Sequence, residues 1–186
     1  MDLRPRVVPA NRVPWEDVEA VFSTPGEPQQ CWCQWFRTGA AGWGGSTPQE
    51  RAGDLRRQSG AGRPSAPTSG LLAYVDRRPV GWVAVAPRVE HPRLVGELAE
   101  DPDAGADVWS VTCFVVRPGH QGLGVTRALL DGALSWAREH GAVAVEGYTR
   151  VLQRGAVGEP DVVDLFAEAG FVEVGSQGRR VLRREL

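Results

Sequence analysis

The spacing of apolar residues in the first part of the chain predicts two helices and a loop. Between residues 14 and 22 the apolar positions recur at helical spacing behind Pro14, which predicts a short amphipathic helix. Thr47 and Glu50 have the spacing of a capping box and predict a second helix over residues 51–58. Residues 59–70 are rich in Gly, Pro and Ser, so we expect a mobile loop within the same domain.

Strand patterns begin at residue 71. Two apolar runs over residues 71–87, separated by a turn-like segment, predict a hairpin. Residues 89–107 are acidic without a sustained period and predict a long loop, whereas residues 109–116 are apolar on both faces and predict an interior strand. A helical stripe from Val125 ends at Gly141 and is followed by a further strand over residues 142–147, which predicts a parallel or splayed pair of strands.

The last part of the chain adds a helix and two short strands. Asp161 is placed to cap a helix that runs through Ala169 and is closed by Gly170, and strand patterns follow it. The whole pattern predicts a single α/β domain over residues 1–186, with a mixed sheet and helices on both faces.

Composition narrows the function classes. The chain has 42% hydrophobic and 24% charged residues, as folded proteins do, and 21 basic against 23 acidic residues give a net charge of −2. No global positive field therefore favours a nucleic-acid partner. The absence of Lys and Ile is interpreted as the codon bias of a GC-rich genome. Without a long apolar run or a signal-peptide pattern, we expect a cytoplasmic protein with no membrane segment.

Cysteine and histidine usage predicts neither a disulfide nor a metal site. Cys31, Cys33 and Cys113 are an odd number, and in a reducing compartment we expect free thiols. The three histidines are isolated in the sequence, so a zinc site lacks ligands at recognisable spacing.

A glycine-rich segment between the interior strand and the helix is the candidate for chemistry. Glycines there let the backbone approach an anion, and the helix N-terminus favours a phosphate or pyrophosphate. The alternative is a tight connection whose glycines only satisfy geometry. A P-loop requires Lys, which is absent, and a dinucleotide fingerprint would need glycine where Arg127 stands.

The segment VVRPGHQGLGVTRALLDGAL (residues 115–134) resembles the acyl-coenzyme A signature of the GNAT N-acetyltransferase superfamily. The hairpin with Val80, Gly81 and Trp82 and the segment LFAEAGFVEV are also similar to that family, and other segments resemble a GC-rich bacterial subgroup of it. Thr126 departs from the family pattern, since Gly or Ala is usual at its position.

The resemblance implies a sheet splayed at its centre, acetyl-coenzyme A as co-substrate, no metal, and direct attack by an amine of a small molecule on the thioester. The strand end would pair with the pantetheine arm and the glycine segment would hold the pyrophosphate. These implied binding residues are Phe114, Val115 and Val116, followed by Gln121, Gly122, Leu123, Gly124, Val125 and Thr126.

The reaction also needs a neutral amine and a proton for the departing thiolate. Proximity contributes much of such a reaction, so the absence of a dedicated base stays open as an alternative. The family's usual acidic Tyr aligns with Phe166, so Tyr148 is the nearest candidate to protonate the thiolate. Glu146 is the first candidate base and Asp107 the second, while a structural salt bridge of Glu146 stays open as the alternative.

Two other function classes stay open. Phe166 in place of the acid fits a non-catalytic acyl-coenzyme A binding module, and the departures in the glycine segment fit a donor other than coenzyme A, such as aminoacyl-tRNA. The sequence leaves the acceptor, the acyl chain and a homodimer undetermined. Two residue sets are further acceptor-site candidates: Trp32, Trp35, Trp43, Trp82 and Trp109 as an apolar pocket, and Arg51, Arg56, Arg57 and Arg63 as a basic patch.

Overall fold

The structure is a computed structural model that describes residues 4–97, 107–150, 160–176 and 179–186. Its strands are β1 (Arg6–Pro9), β2 (Gly70–Val75), β3 (Arg78–Pro87), β4 (Val108–Val116), β5 (Ala144–Arg150), β6 (Val172–Ser176) and β7 (Arg179–Glu185). Its α-helices are α1 (Trp15–Phe22), α2 (Glu27–Cys31), α3 (Ala40–Gly45), α4 (Pro48–Ser59), α5 (Pro92–Glu97), α6 (Val125–Glu139) and α7 (Pro160–Glu168).

One mixed sheet organises the domain. Its seven strands follow the order β1-β2-β3-β4-β5-β7-β6, and every neighbouring pair is antiparallel except β4 with β5. Side chains alternate between two apolar clusters, one against α6 and α7 and the other against α1 and α4. The predicted α/β class, with helices on both faces of a mixed sheet, is confirmed.

The central parallel pair splits partway along. β4 and β5 are paired only from Val108 with Ala144 to Val111 with Gly147. Beyond that point β4 continues beside β3 up to Val116, and β5 continues beside β7. The two strands thus part at the end of the sheet where β4 leads into α6.

Local sequence signals located most elements correctly. The helices predicted at residues 14–22 and 51–58 are α1 and the body of α4, and the capping box of Thr47 and Glu50 is present. The hairpin, the interior strand and the long helix are β2–β3, β4 and α6. The acidic segment differs from its prediction as a loop, because a 3₁₀ turn (Arg88–Glu90) and α5 lie in it, and its residues 98–106 are outside the described residues.

Hydrogen bonds hold the glycine-, proline- and serine-rich loop against the chain's first turn. The Asn11 amide donates to the carbonyl oxygens of Pro64 and Ala66, and the Gly62 amide donates to Val13 O. The loop is where the sequence placed it, and its mobility stays a prediction.

The prediction of three free thiols is wrong for two of them. Cys33 and Cys113 form a disulfide, with their Cα atoms 6.2 Å apart, and Cys31 alone is free. The odd number of cysteines and the expected reducing compartment could not reveal a bond between two residues that are 80 positions apart in the sequence.

Among the described residues, no helix is long and apolar enough to cross a membrane, and no cluster of three or more His, Cys, Asp or Glu side chains could hold a metal ion.

Gly147 is the point where α7 reaches the central strands. A Cβ at this position would lie 2.5 Å from Cζ of Phe166, whose ring is fully buried. We expect Gly147→Ala to lower the free energy of unfolding by about 1–3 kcal/mol, because the buried ring has to move. Urea unfolding measures this.

Gly44→Ala is the matched control, since a Cβ there meets nothing within 4 Å. It should leave the free energy of unfolding unchanged or raise it by up to about 1 kcal/mol, because alanine favours the helix in which Gly44 lies. Phe166→Leu should restore part of the loss in the Gly147→Ala background. An unfolding midpoint of Gly147→Ala equal to that of the unmodified protein would contradict the close contact.

Candidate active site

The glycine segment forms an exposed turn between β4 and α6. Gly122 and Gly124 have φ angles of +76° and +71°, and a Cβ on either would meet nothing within 4 Å. Gly124 is also the N-cap residue of α6, and no side chain caps this helix. The turn therefore presents backbone rather than side chains at the N-terminus of a 15-residue helix.

The backbone amides of this turn are available to a ligand. No hydrogen-bond partner for the amides of Leu123 to Thr126 occurs among the residues that the structure describes. The side chain of Gln121 turns back and accepts from the Gly119 amide at 2.9 Å, so it does not cover the turn. Free amides and the positive end of a helix dipole favour a phosphate group at this place.

The turn lies directly beyond the split between β4 and β5. Phe114, Val115 and Val116 are all past the last paired residue of β4, on the edge that β5 leaves. The structure thus brings this strand end and the glycine turn, which the sequence grouped together, to one end of the sheet. An elongated ligand bound by its phosphate at the turn can extend along that strand edge.

A carboxylate and a phenol meet on the other side of the split. Glu146 and Tyr148 are two positions apart on β5 and share one face, opposite to the face that α6 covers. The Tyr148 hydroxyl donates to Glu146 Oε2 at 2.5 Å and lies 3.3 Å from Ser110 Oγ. Ser110 is the direct neighbour of Glu146 in the β4–β5 ladder.

Two arginines complete this cluster. Arg88 Nη1 lies 3.3 Å from Glu146 Oε2, and both side chains are almost completely buried. Arg183, opposite Glu146 on β7, places its Nη1 3.3 Å from Oε1. Glu146 therefore sits in an ion-pair network, which agrees with the structural alternative while leaving its carboxylate beside the split.

Asp107, the second candidate base, lies elsewhere. It precedes β4 at the end of the parallel pair that is remote from the split, and its carbonyl oxygen accepts from the Val143 amide. Four residues of strand, about 13 Å, separate it from the last paired residue of β4. The structure does not bring Asp107 to the cluster.

Phe166, the residue that the sequence resemblance aligns with the family's acid, is an apolar ring of the core. It is 2% exposed and packs edge to face against Phe114 at 6.2 Å and Phe171 at 4.8 Å. The one phenol of β5, that of Tyr148, lies on the other face of the sheet.

The environment of Tyr148 keeps its hydroxyl protonated. Burial is the main cause that raises the pKa of Tyr148, and the Glu146 carboxylate raises it further. Tyr74, the other tyrosine of the chain, also has a raised pKa, because of burial and its hydrogen bond to Asp17.

We expect neither tyrosine to ionise in the folded protein between about pH 9 and 11, where an exposed tyrosine ionises. The unfolded chain loses both phenolic protons in that range and the folded chain keeps them. The contribution of the two protonated tyrosines to the free energy of unfolding is therefore fully present below about pH 10 and is lost as pH rises further. Ultraviolet absorbance of tyrosinate should rise only together with loss of the native circular dichroism.

Tyr74→Phe and Tyr148→Phe should each remove half of that absorbance step. Tyrosinate absorbance that develops in one of the single variants while the fold is intact would show that the remaining tyrosine is accessible to hydroxide.

Residues 35–37 pack over the cluster. The Phe36 ring lies 6.1 Å from that of Tyr148, and Arg37 is paired with Glu90 at 3.1 Å. Next to them His91 is fully buried; burial, and secondarily Arg37, lowers its pKa to about 3. A neutral imidazole therefore lies beneath this segment.

Four of the nine candidate acceptor residues are structural. Trp82, Trp32 and Trp109 are buried in the two apolar clusters, so the predicted tryptophan pocket is reduced to Trp35 and Trp43, which contact each other at 4.9 Å. Arg51 does not belong to a surface patch. It is buried and donates to the carbonyl oxygens of three residues, Gln30, Trp43 and Ser46.

Sequence reasoning missed Arg88, Arg183 and Ser110. Ser110 carried a signal, as a polar residue that alternates with apolar neighbours inside a strand predicted to be buried. Arg88 and Arg183 carried none, because 58 and 37 positions separate them from Glu146.

The sheet is open and mixed, and its parallel pair splits above a glycine turn at a helix N-terminus. This arrangement defines a class of α/β proteins suited to an elongated phosphate-bearing ligand. Residues 14–171 match the acetyltransferase (GNAT) family. The chain belongs to this family. No curated protein matches the sequence.

Solved structures of low identity share the fold. The PaiA N-acetyltransferase of Thermoplasma acidophilum in complex with coenzyme A is 11% identical, with a TM-score of 0.58 over 98% of this chain and 99% of that one. The GNAT domain of S. lividans PAT is 20% identical (TM-score 0.59; 98% and 90% covered). The ribosomal-protein-alanine N-acetyltransferase of Brucella melitensis is 16% identical (TM-score 0.57; 98% and 99% covered).

Proposed function

We propose that the protein is an acyl-coenzyme A dependent N-acyltransferase that moves an acetyl group to the amine of a small molecule. The observation that carries this proposal is the exposed turn of unpartnered amides at the N-terminus of α6, directly beyond the split strands. A pyrophosphate fits this turn because it needs several donors and a positive dipole, and no side chain covers the amides.

The residues that we propose to bind the acyl donor are those of the glycine segment and the end of β4. Gln121, Gly122, Leu123, Gly124, Val125 and Thr126 would hold the pyrophosphate, and the backbone of Phe114, Val115 and Val116 would bind the pantetheine arm. When bound, the donor supplies an activated acyl group as a thioester. The chain's own contribution is to place that thioester in the split and to keep the amine in line with it.

Glu146 is proposed to receive the proton of the attacking amine. Its carboxylate lies beside the split, on the face away from α6, and the proposal requires the amine to enter from this side. Arg88 and Arg183 fix its orientation through both carboxylate oxygens.

Tyr148 is proposed to supply a proton to the leaving thiolate. Two of the causes that raise the pKa of Tyr148 are the charge of Glu146 and the hydrogen bond to it. Both weaken once Glu146 has accepted the amine's proton, so the phenol becomes a stronger acid when the leaving group needs a proton. The base and the acid are coupled through the 2.5 Å contact.

A second candidate is a non-catalytic module that binds acyl-coenzyme A, which the buried Phe166 in the acid's place favours. Calorimetry with acetyl-coenzyme A, together with thiol release on a panel of amines, distinguishes the two. Binding with thiol release supports the enzyme, and binding without release on any amine supports the module. An absence of binding overturns both and favours a different donor.

We also propose that the protein works in the cytoplasm of a GC-rich bacterium. The absence of Lys and Ile supports this source. A small-molecule amine is preferred to a nucleic-acid partner because the net charge is −2.

A further inference from the structure

A covalent bond ties the segment above the carboxylate–phenol cluster to the split strand. Cys33 follows α2, and Cys113 lies on β4 two positions beyond the last residue paired with β5. Cys33 is buried among the side chains that cover this face of the sheet. The disulfide therefore joins the buried turn that follows α2 to the strand edge that borders the split.

The backbone at this bond adopts an unfavourable conformation. Trp32 and Cys33 have φ angles of 47° and 53°, and two successive non-glycine residues in the left-handed region are uncommon. This reversal directs Cys33 toward β4 and lets Phe36 reach the Tyr148 ring. Interactions elsewhere have to hold such a turn, and the disulfide is one of them.

The hydrogen bonds of residues 34–37 lead away from β4. Gln34 is paired with Gln58 of α4 through their side-chain amides, and Arg37 with Glu90. Arg93 Nε donates to Trp35 O at 2.8 Å. These contacts attach the segment to α4 and to residues 88–93, whereas the bond to Cys113 attaches it to the strand at the split.

We propose that Cys33–Cys113 is a redox-controlled clamp that holds residues 32–37 over the site, and that a dithiol reductant opens it. A thiolate of the dithiol attacks one sulfur, the Cys33–Cys113 bond breaks, and a mixed disulfide forms. The other cysteine leaves as a thiolate. The second thiol of the reductant then attacks the reductant's own sulfur in the mixed disulfide and releases the cysteine bound there. Two electrons and two protons pass to Cys33 and Cys113, and the dithiol becomes a disulfide.

The expected consequence is a loss of order above Tyr148. Without the bond, the left-handed turn at Trp32 and Cys33 can relax, and the Phe36 ring is held less firmly over Tyr148, by the remaining contacts of its segment with α4 and with residues 88–93. Disulfides in a reducing compartment are commonly transient or redox-sensing, so a switch fits the proposed cytoplasmic location. The expected change in turnover rests on the proposed function. The expected loss of order in residues 32–37 does not rest on it.

Equilibration of the full-length protein in buffers of an oxidised or a reduced small-molecule dithiol, followed by alkylation and mass spectrometry, tests the bond. We expect one alkylated cysteine, Cys31, in the oxidised protein and all three in the reduced protein. Hydrogen exchange of residues 27–45 should be faster after reduction. The kcat/KM for the amine should fall about tenfold because the site is less well ordered, with the Kd for acetyl-coenzyme A unchanged.

Cys31→Ser is the matched control, and it should keep both redox states and their exchange difference. Cys33→Ser combined with Cys113→Ser should reproduce the reduced protein under oxidising conditions. Three alkylated cysteines after oxidation, or equal exchange of residues 27–45 in both states, would overturn the clamp even if the protein had no turnover. Since reduction of the unmodified protein gives the same comparison, a variant that fails to fold does not remove the test.

Discussion

Replacement of both Gly122 and Gly124 by alanine is expected to weaken the binding of acetyl-coenzyme A by roughly 30-fold to several hundredfold. An L-residue held in the left-handed region costs about 1–2 kcal/mol, and each 1.4 kcal/mol is a tenfold change in affinity. Both glycines have φ above +70° and lie in open space, so strain alone, without a steric clash, produces the effect. Titration calorimetry measures it.

The strain lowers the affinity for acetyl-coenzyme A because the turn is exposed. In the free variant few contacts oppose a relaxation of the turn, so the ligand has to restore the conformation that presents the amides. Asparagine tolerates this region better than alanine, and we expect the double asparagine variant to lose less affinity.

Gly119→Ala is the matched control. Gly119 has φ +83° and open surroundings too, but its amide is already bonded to the Gln121 side chain. It should carry the same strain with little change in affinity. If Gly119→Ala and the double alanine variant weaken binding equally, the amides of Leu123 to Thr126 are not the pyrophosphate site.

The elements that the sequence predicted correctly are those with local causes. The capping box of Thr47 and Glu50 and the apolar stripe of α6 act within a few residues, so they are visible without the fold. The interior strand β4 was recognised because both of its faces are apolar.

The elements that the sequence did not reveal depend on distant residues. α3 contains three glycines in six residues, which local propensity disfavours. The end of α3 is held from α4: the buried guanidinium of Arg51 donates to the carbonyl oxygens of Trp43 and Ser46. β1 has only four residues and forms because β2 offers an edge to pair with.

The candidate site divides in the same way. Glu146 and Tyr148 could be grouped from the sequence because they alternate on one strand face, and the glycine turn has a local motif. Arg88 and Cys33 join the site through tertiary contacts with Glu146 and Cys113, which no spacing in the sequence indicates.

The arginine partners make a test of Glu146 by one variant ambiguous, and a pair of variants removes the ambiguity. Glu146→Gln and Arg88→Gln each break the same buried ion pair, and each should destabilise the fold by about 3–5 kcal/mol. Arg88→Gln keeps the carboxylate together with Arg183 and Tyr148.

If Glu146 is the base, Glu146→Gln should lower kcat by about 100-fold to 10,000-fold, as the loss of a positioned base does. Arg88→Gln should lower it far less, since the carboxylate can still accept the amine's proton. Turnover is measured on the folded fraction of each variant, determined by circular dichroism at the assay temperature. Equal losses of kcat in the two variants would assign Glu146 to the ion-pair network and leave the amine to be deprotonated by water, because the damage would then come from the broken pair alone.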